Sequence, residues 1–242
     1  VQRCKSNKNN RIYIYGHRPV KIIVARYNEN LDWMRETPFN LFRYIVYNKG
    51  INNDFETCNV DEIINLPNVG RCDHTYLYHI VNNYNNLNRI NVFFPGCLND
   101  SHKKQEAKQI LYGIMKYNTA IFYANYVSDV KKEFLNFTLD NWSSSDNSNK
   151  LLNSESRTFP ARLRPYGKWY NYMFGNINVN WYCFHGIFSI NKDDILQHDV
   201  SRYIQLLKAV GVHSNPEVGH YIERSWAVIF HPLIFTKIIR KQ

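Results

Sequence analysis

No run in this chain approaches the roughly 20 apolar residues that a bilayer-spanning helix needs. Nor does Val1 onward show the basic-then-apolar order of a secretory leader. Both absences point to a soluble protein. Cysteine is scarce: there are five, at Cys4, Cys58, Cys72, Cys97 and Cys183. Their number is odd and none forms a C-x-x-C pair, so neither a zinc ribbon nor a dithiol redox motif is signalled, and reduced thiols in a cytoplasmic protein are expected. Acid is in deficit, with 20 Asp and Glu against 30 Lys and Arg, a formal charge of +10. Such an excess attracts anions of several kinds: nucleotide phosphates, nucleic acid, acidic glycans or a membrane surface. The dense basic block of a nucleic-acid arm is missing, because the cations concentrate only briefly at Lys103-Lys104, Lys131-Lys132 and Arg240-Lys241. There is no internal repeat.

Apolar and aromatic residues are plentiful. Hydrophobic residues make up 44% of the chain, and the 18 Tyr and 14 Phe dominate an aromatic share of 15%. That composition excludes disorder for the body of the chain, which has the length of one large domain. Residues 1–20 read as a polar N-terminal extension and 21–242 as a single domain. The Ser/Asn-rich stretch 140–157 reads as a surface loop. Three N-x-[ST] sequons, at Asn99, Asn136 and Asn141, are read as chance in so Asn-rich a chain.

Short β-branched or aromatic runs at 21–25, 42–47, 63–66 and 90–94 predict strands, and Phe184 to Ile190 a later one. Leu31 to Arg35 begins a short helix. From Asp73 to Tyr84, Leu77, Ile80, Val81 and Tyr84 recur at helical spacing on one face. Further helices are predicted over 103–117, from Asp193 to Gly211, and from Glu217 to Phe230 after Pro216. Strands alternating with helices define an α/β fold with a mostly parallel sheet flanked by helices.

Ligands of open parallel sheets bind beyond the carboxyl ends of the strands. Four polar clusters fall at such ends: Arg26-Tyr27-Asn28-Glu29-Asn30, Tyr47-Asn48-Lys49-Gly50, Asn68-Val69-Gly70-Arg71 and Gly96 to Asp100. Gly70-Arg71 opens a helix, whose free N–H groups and partial positive charge suit a phosphate, and Arg71 adds a fork for bidentate contact. Asp73 reads equally as a helix cap or as an acid near the ligand. On the last helix Glu217, His220 and Arg224 share a face, and His220 and Glu223 lie within reach of each other. A carboxylate placed there could deprotonate a hydroxyl, although a salt-bridged amphipathic helix with a Trp226, Ile229 and Phe230 core face accounts for the same pattern. His74 and His79, five apart, do not form a metal pair. The aromatic-basic stretch from Arg164 to Phe174, with Tyr166, Trp169, Tyr170 and Tyr172, could stack sugars or bases, or serve as core.

The order of these blocks resembles a family. Val24-Ala25-Arg26-Tyr27-Asn28-Glu29-Asn30-Leu31-Asp32-Trp33, Tyr47-Asn48-Lys49-Gly50, and Leu66-Pro67-Asn68-Val69-Gly70-Arg71 with His74-Thr75-Tyr76-Leu77 carry the first half of the likeness. Gly186-Ile187-Phe188-Ser189-Ile190 and the block from Asn215 to Trp226 carry the second. Together, from about Lys21 to Pro232, they resemble glycosyltransferase-like proteins, formerly uncharacterised, of fungi, algae and large DNA viruses. The chain looks like a member from a large algal or amoebal virus. The resemblance implies a GT-A-like nucleotide-sugar fold and transfer of a sugar from a nucleotide sugar, UDP-linked by expectation, to a glycan or glycoprotein, with a viral capsid glycan as a possible setting. It places Arg26, Asn28, Glu29, Tyr47 and Asn48 around the nucleoside and Gly70 and Arg71 at the diphosphate. It places His185, Gly186 and Trp169 at the acceptor, and Glu223 or Glu217, with His220, at the chemistry.

Many enzymes of that fold hold Mn²⁺ or Mg²⁺ with an Asp-x-Asp after a central strand. Here Val92-Phe93-Phe94 runs into Pro95-Gly96-Cys97, and no acid follows until Asp100. The resemblance therefore implies either a metal-independent enzyme relying on Arg71 and neighbouring cations, or Asp100 as a metal ligand. Two other readings stay open: a nucleic-acid-binding protein, disfavoured by the scattered charge, and a non-catalytic glycan-binding module.

Overall fold

A computed structural model describes residues 20–126, 134–139 and 159–241. The expected polar extension before Val20 and the expected loop over 140–157 fall outside the described residues.

The N-terminal half lays down four strands, β1 (Val20–Arg26), β2 (Tyr44–Asn48), β3 (Val60–Asn65) and β4 (Ile90–Pro95), and the helix α1 (Arg71–Asn82). Helix α2 (Ser101–Tyr117) and strand β5 (Ile121–Tyr126) follow. After the described segment 134–139 come α3 (Tyr166–Phe174), β6 (Trp181–Tyr182), β7 (Phe188–Asn191), α4 (Lys192–Leu196), α5 (Val200–Val210), α6 (Glu217–Ile229) and β8 (Lys237–Arg240). The main sheet has the order β3-β2-β1-β4-β7; its first three pairings are parallel and β7 runs antiparallel to β4. A smaller sheet, β6-β5-β8, pairs β5 with β8 in parallel and with β6 antiparallel.

The β-branched runs are continuous because the main sheet is covered on both faces. Ile23, Tyr47, Phe93, Phe188 and Ile190 point into a core shared with α1, α3, α5 and α6, where Tyr76, Trp226 and Phe230 pack. Ile22, Val24, Val46, Val92 and Phe94 point the other way, toward α2 and toward the 3₁₀ turns Asp32–Arg35 and Phe39–Leu41 that carry Trp33 and Phe39. The predicted short helix at Leu31 is thus a 3₁₀ turn. From β1 the chain moves to β2 and β3 on one side, then returns to lay β4 on the other side of β1. The topological switch point, where open sheets leave a crevice, therefore lies between the carboxyl ends of β1 and β4.

Several expectations are corrected. The strand predicted from Phe184 is confined to Phe188–Asn191, because His185 and Gly186 both adopt left-handed backbone (φ 66° and 63°) and form a turn. The helix predicted from Asp193 to Gly211 is two helices. Asp199 restarts it as an N-cap, its carboxylate accepting from Ser201 N at 2.8 Å, while Gln197 Nε2 turns aside to the carbonyls of Phe230 and Pro232. Cys58 is disulfide-bonded, whereas Cys72, Cys97 and Cys183 are free thiols. Five reduced cysteines were expected; disulfides persist in oxidising compartments, so the thiol argument for a cytoplasmic location falls away. Among the described residues no helix is long and apolar enough to cross a membrane.

Candidate active site

The polar clusters do converge at the carboxyl edge of the main sheet, but many of the side chains in them build the edge rather than face a ligand. Arg26, 1% exposed, donates from Nε to Glu29 O, from Nη1 to Asn48 Oδ1 and Asn52 O, and from Nη2 to Asn52 Oδ1. Its guanidinium also lies 4.2 Å from the Phe55 ring centre. Asn48 is buried with it, donating to Asn52 O and Asn53 Oδ1. Tyr47 is turned into the core, its hydroxyl 2.9 Å from His79 Nδ1. His79 and His74, both buried, have pKa values pushed down to about 4, in each case mainly by burial, so both imidazoles are neutral.

At the switch point itself stand Asn28, exposed, and Glu29, half-buried. Glu29 Oε2 accepts from the backbone N–H groups of Tyr27 (2.7 Å) and Asn28 (3.1 Å) and presses on Gly96, where a Cβ would come within 2.7 Å of it. Cys97 and the first turn of α2 follow. Lys103 Nζ reaches Cys97 Sγ at 3.4 Å and pairs with Asp100 at 2.7 Å.

The second wall is the start of α1. Gly70 is left-handed (φ 62°), and a Cβ there would fall 2.6 Å from His74 Cβ and 2.7 Å from Val210 O, so only glycine fits. Lys49 supports the turn from below, donating to the carbonyls of Val69 and Arg71, and burial lowers its pKa to about 8. Arg71 Nη1 lies 2.8 Å from His220 Nε2 and 3.3 Å from Asn215 Oδ1. Burial, with Arg71 and Arg224 beside it, holds His220 far below the usual histidine range, so it is a neutral partner for Arg71 rather than an acid.

The third wall is α6. Glu223, half-buried, accepts from His185 N at 2.6 Å through Oε1. One turn on, Trp226 Nε1 donates to Asp73 Oδ1 at 3.0 Å, which brings the carboxyl groups of Asp73 and Glu223 into one neighbourhood. Burial, and then the charge of Glu223, push the Asp73 pKa up to about 7, with Arg71 opposing. Near neutral pH the Asp73 carboxyl can therefore keep a proton, and Glu223 beside it is the half-buried member that reaches solvent. The His185 ring extends toward buried Glu106 (Nδ1–Oε2 3.5 Å), which Lys241 also pairs at 2.7 Å, and packs edge-on against His102 with centroids 5.1 Å apart.

The expected site residues therefore divide. Glu29, Gly70, Arg71, His185, Gly186, Asp100 and Glu223 gather around the cleft, with Asn28 at its rim and His220 behind Arg71. Glu217 does not: it is 0% exposed, accepts from Leu139 N and Ala161 N at 2.7 Å each, and pairs with Arg164 Nε at 2.9 Å. Trp169, 4% exposed, is packed between Tyr166, Phe174 and Tyr221 in the core. Lys49, His102, Lys103, Glu106 and Lys241 belong to the same edge; the sequence signals Lys49 through the polar cluster after β2 and Lys103 and Lys241 only as members of short basic runs. Asp100 pairs with Lys103, and among the described residues no group of three or more His, Cys, Asp or Glu side chains is placed to hold a metal. Two cavities, of about 220 and 540 Å³, open elsewhere, beside β6 and between α3 and α5.

The fold and this edge define an α/β protein with charged and polar side chains, Asp73 and Glu223 among them, gathered at the carboxyl edge of its sheet. By sequence it belongs to the family described as "Protein of unknown function (DUF3431)", whose family model matches residues 22–236. No curated protein matches the chain.

Proposed function

We propose that the chain is a GT-A-like glycosyltransferase that moves a sugar from a nucleotide-sugar donor, UDP-linked, to a hydroxyl of a glycan or glycoprotein. The observation that carries this reading is Glu223. A half-buried carboxylate stands at the switch-point cleft beside a second carboxyl whose pKa is raised, across from a helix start bearing Arg71. In the reaction, the acceptor hydroxyl gives its proton to Glu223 as its oxygen bonds to the anomeric carbon. The bond from that carbon to the diphosphate oxygen breaks, and the nucleoside diphosphate leaves. With Glu223 as the single base that deprotonates the acceptor, the reading is a single displacement with inversion. The leaving diphosphate is met by the amino end of α1 and Arg71, whose orientation His220 and Asn215 fix. His102, Lys103 and His185 border the opposite wall. Because Asp100 is paired with Lys103, Arg71 and the neighbouring lysines take the part that a protein-held metal plays elsewhere.

A thermal-shift panel of UDP-, GDP-, CMP- and TDP-sugars, each with Mn²⁺ and with EDTA, tests the reading. A donor at about 100 times its Kd adds roughly 2.7 kcal/mol. The expected result is a shift of several degrees with the UDP series. Glu223→Gln is expected to keep that shift and to lose transfer by about 10²–10⁴-fold. No shift with any nucleotide sugar, or unchanged turnover in the variant, removes the proposal.

A further inference from the structure

The edge of the molecule opposite the cleft displays an apolar pair that the fold does not bury. Ile234 is 65% exposed and Phe235 51%, in the segment leading into β8. They are not on a loose loop. Buried Asp194 accepts from both their backbone N–H groups through Oδ1, at 2.8 and 3.0 Å. Thr119 Oγ1 donates to Phe235 O at 2.9 Å, and Gln197 Nε2 donates to Pro232 O at 2.8 Å. A buried carboxylate is thus committed to holding two large apolar side chains outward, where each is partly hydrated at a free-energy cost.

Cations and a phenol surround the pair. Tyr117, 41% exposed, lies under Lys237 (Nζ 3.9 Å from the ring centre) and beside Lys116 (5.1 Å). Arg89 reaches Asn118 from the start of β4, and the backbone of Lys192 pairs with that of Arg89. Of the acids on α4, Asp194 is buried and occupied by the backbone of 234–235, and Asp193 is half-buried. Lysines over an interfacial tyrosine, flanking an exposed Ile-Phe pair on a chain of charge +10, have the composition of a surface that inserts apolar side chains among lipid headgroups while its cations meet anionic lipid.

We propose that this face, at the amino edge of the main sheet, docks the protein peripherally on an anionic lipid bilayer. Ile234 and Phe235 enter the headgroup region, Tyr117 lies at the interface, and Lys116 and Lys237 contact the lipid phosphates and carboxylates. The inference does not depend on the catalytic reading, since the face shares no residue with the cleft.

Co-sedimentation of the full chain with vesicles of phosphatidylcholine alone, and of phosphatidylcholine with about 30% phosphatidylserine, tests it, at low and physiological salt. Binding is expected to the anionic vesicles, to weaken with salt, and to be slight on the neutral ones. Lys116→Gln and Lys237→Gln are each expected to weaken it roughly five-fold, and the double variant Ile234→Ser/Phe235→Ser on the order of tenfold. These side chains are exposed, so the melting temperature should hold, and the nucleotide-sugar shift reads the cleft separately. Absence of binding to anionic vesicles, or equal binding by wild type and the double variant, overturns the proposal. So does a wild-type dimer that the double variant converts to monomer, because the face is then a subunit interface.

Discussion

Glu217 and Glu223 stand less than two turns apart on α6, and their surroundings give them opposite parts. Glu217 is wholly buried, paired with Arg164, and bonded to the backbone of two segments that precede it in the chain. Glu217→Ala removes a buried carboxylate that two N–H groups and Arg164 share, so a loss of about 3–5 kcal/mol is expected, read as a drop of roughly 10 °C in the unfolding midpoint. An unchanged midpoint would show that the carboxylate holds nothing together. Asp73 makes a prediction of a different sign. Its folded pKa of about 7 lies above that of a free carboxyl, so the native state keeps a proton that the unfolded chain releases. That contribution is complete below about pH 4 and is lost as pH rises toward 7. Asp73→Asn, which mimics the protonated form and can still accept from Trp226, should match wild type near pH 4 and exceed it by on the order of 2 kcal/mol at pH 8. Urea melts at the two pH values measure the difference, and a variant less stable than wild type at pH 8 would assign Asp73 an ionised native state. None of these distinctions is legible in the sequence. It supplies the residue types of Arg26, Tyr47, Asn48, Glu217 and Trp169, but whether such groups face a ligand or close a core depends on partners distant in the chain.

At the scale of elements, β1, β2 and β4 were legible because both faces are buried and the apolar run is unbroken. The helix at Glu217 was legible because Pro216 and the 3.6-residue pattern agree. The strands β5 and β8 were not: they are short, partly polar, and pair across more than a hundred residues, Ile121 with Lys237. Helix α3, Tyr-Gly-Lys-Trp-Tyr-Asn-Tyr-Met-Phe, is built from aromatics of indifferent helix propensity and is held by packing against α6. The connections carry more constraint than their composition suggests. Gly50 closes the turn after β2 against the turn after β1, where a Cβ would stand 1.7 Å from Tyr27 O. Gly50→Ala must therefore push the two turns apart, and a cost of about 3 kcal/mol is expected in chemical denaturation, together with weaker donor binding at the displaced rim. A neutral substitution would mean that the turns are not in register as described.

At the scale of the whole molecule, the sheet is the partition. One core lies on each of its faces, the charged cleft on its carboxyl edge, and the basic apolar face on its amino edge. The alternation of strands and helices made the sheet readable, and the carboxyl-edge rule placed the polar clusters together on one edge of it. The amino-edge face was not, since Ile234 and Phe235 look like any apolar pair until Asp194 is seen fixing them outward. The opposition of the two edges has a consequence for traffic. Strand β1 has seven residues, so the edges are separated by roughly 20 Å. A molecule seated on lipid by its amino edge holds the cleft that far above the headgroups and facing away from them. Soluble donors then arrive without crossing the interfacial layer, while an acceptor anchored in the same membrane must carry its hydroxyl on a stalk long enough to span that height, so the protein would act as a ruler that ignores short headgroups.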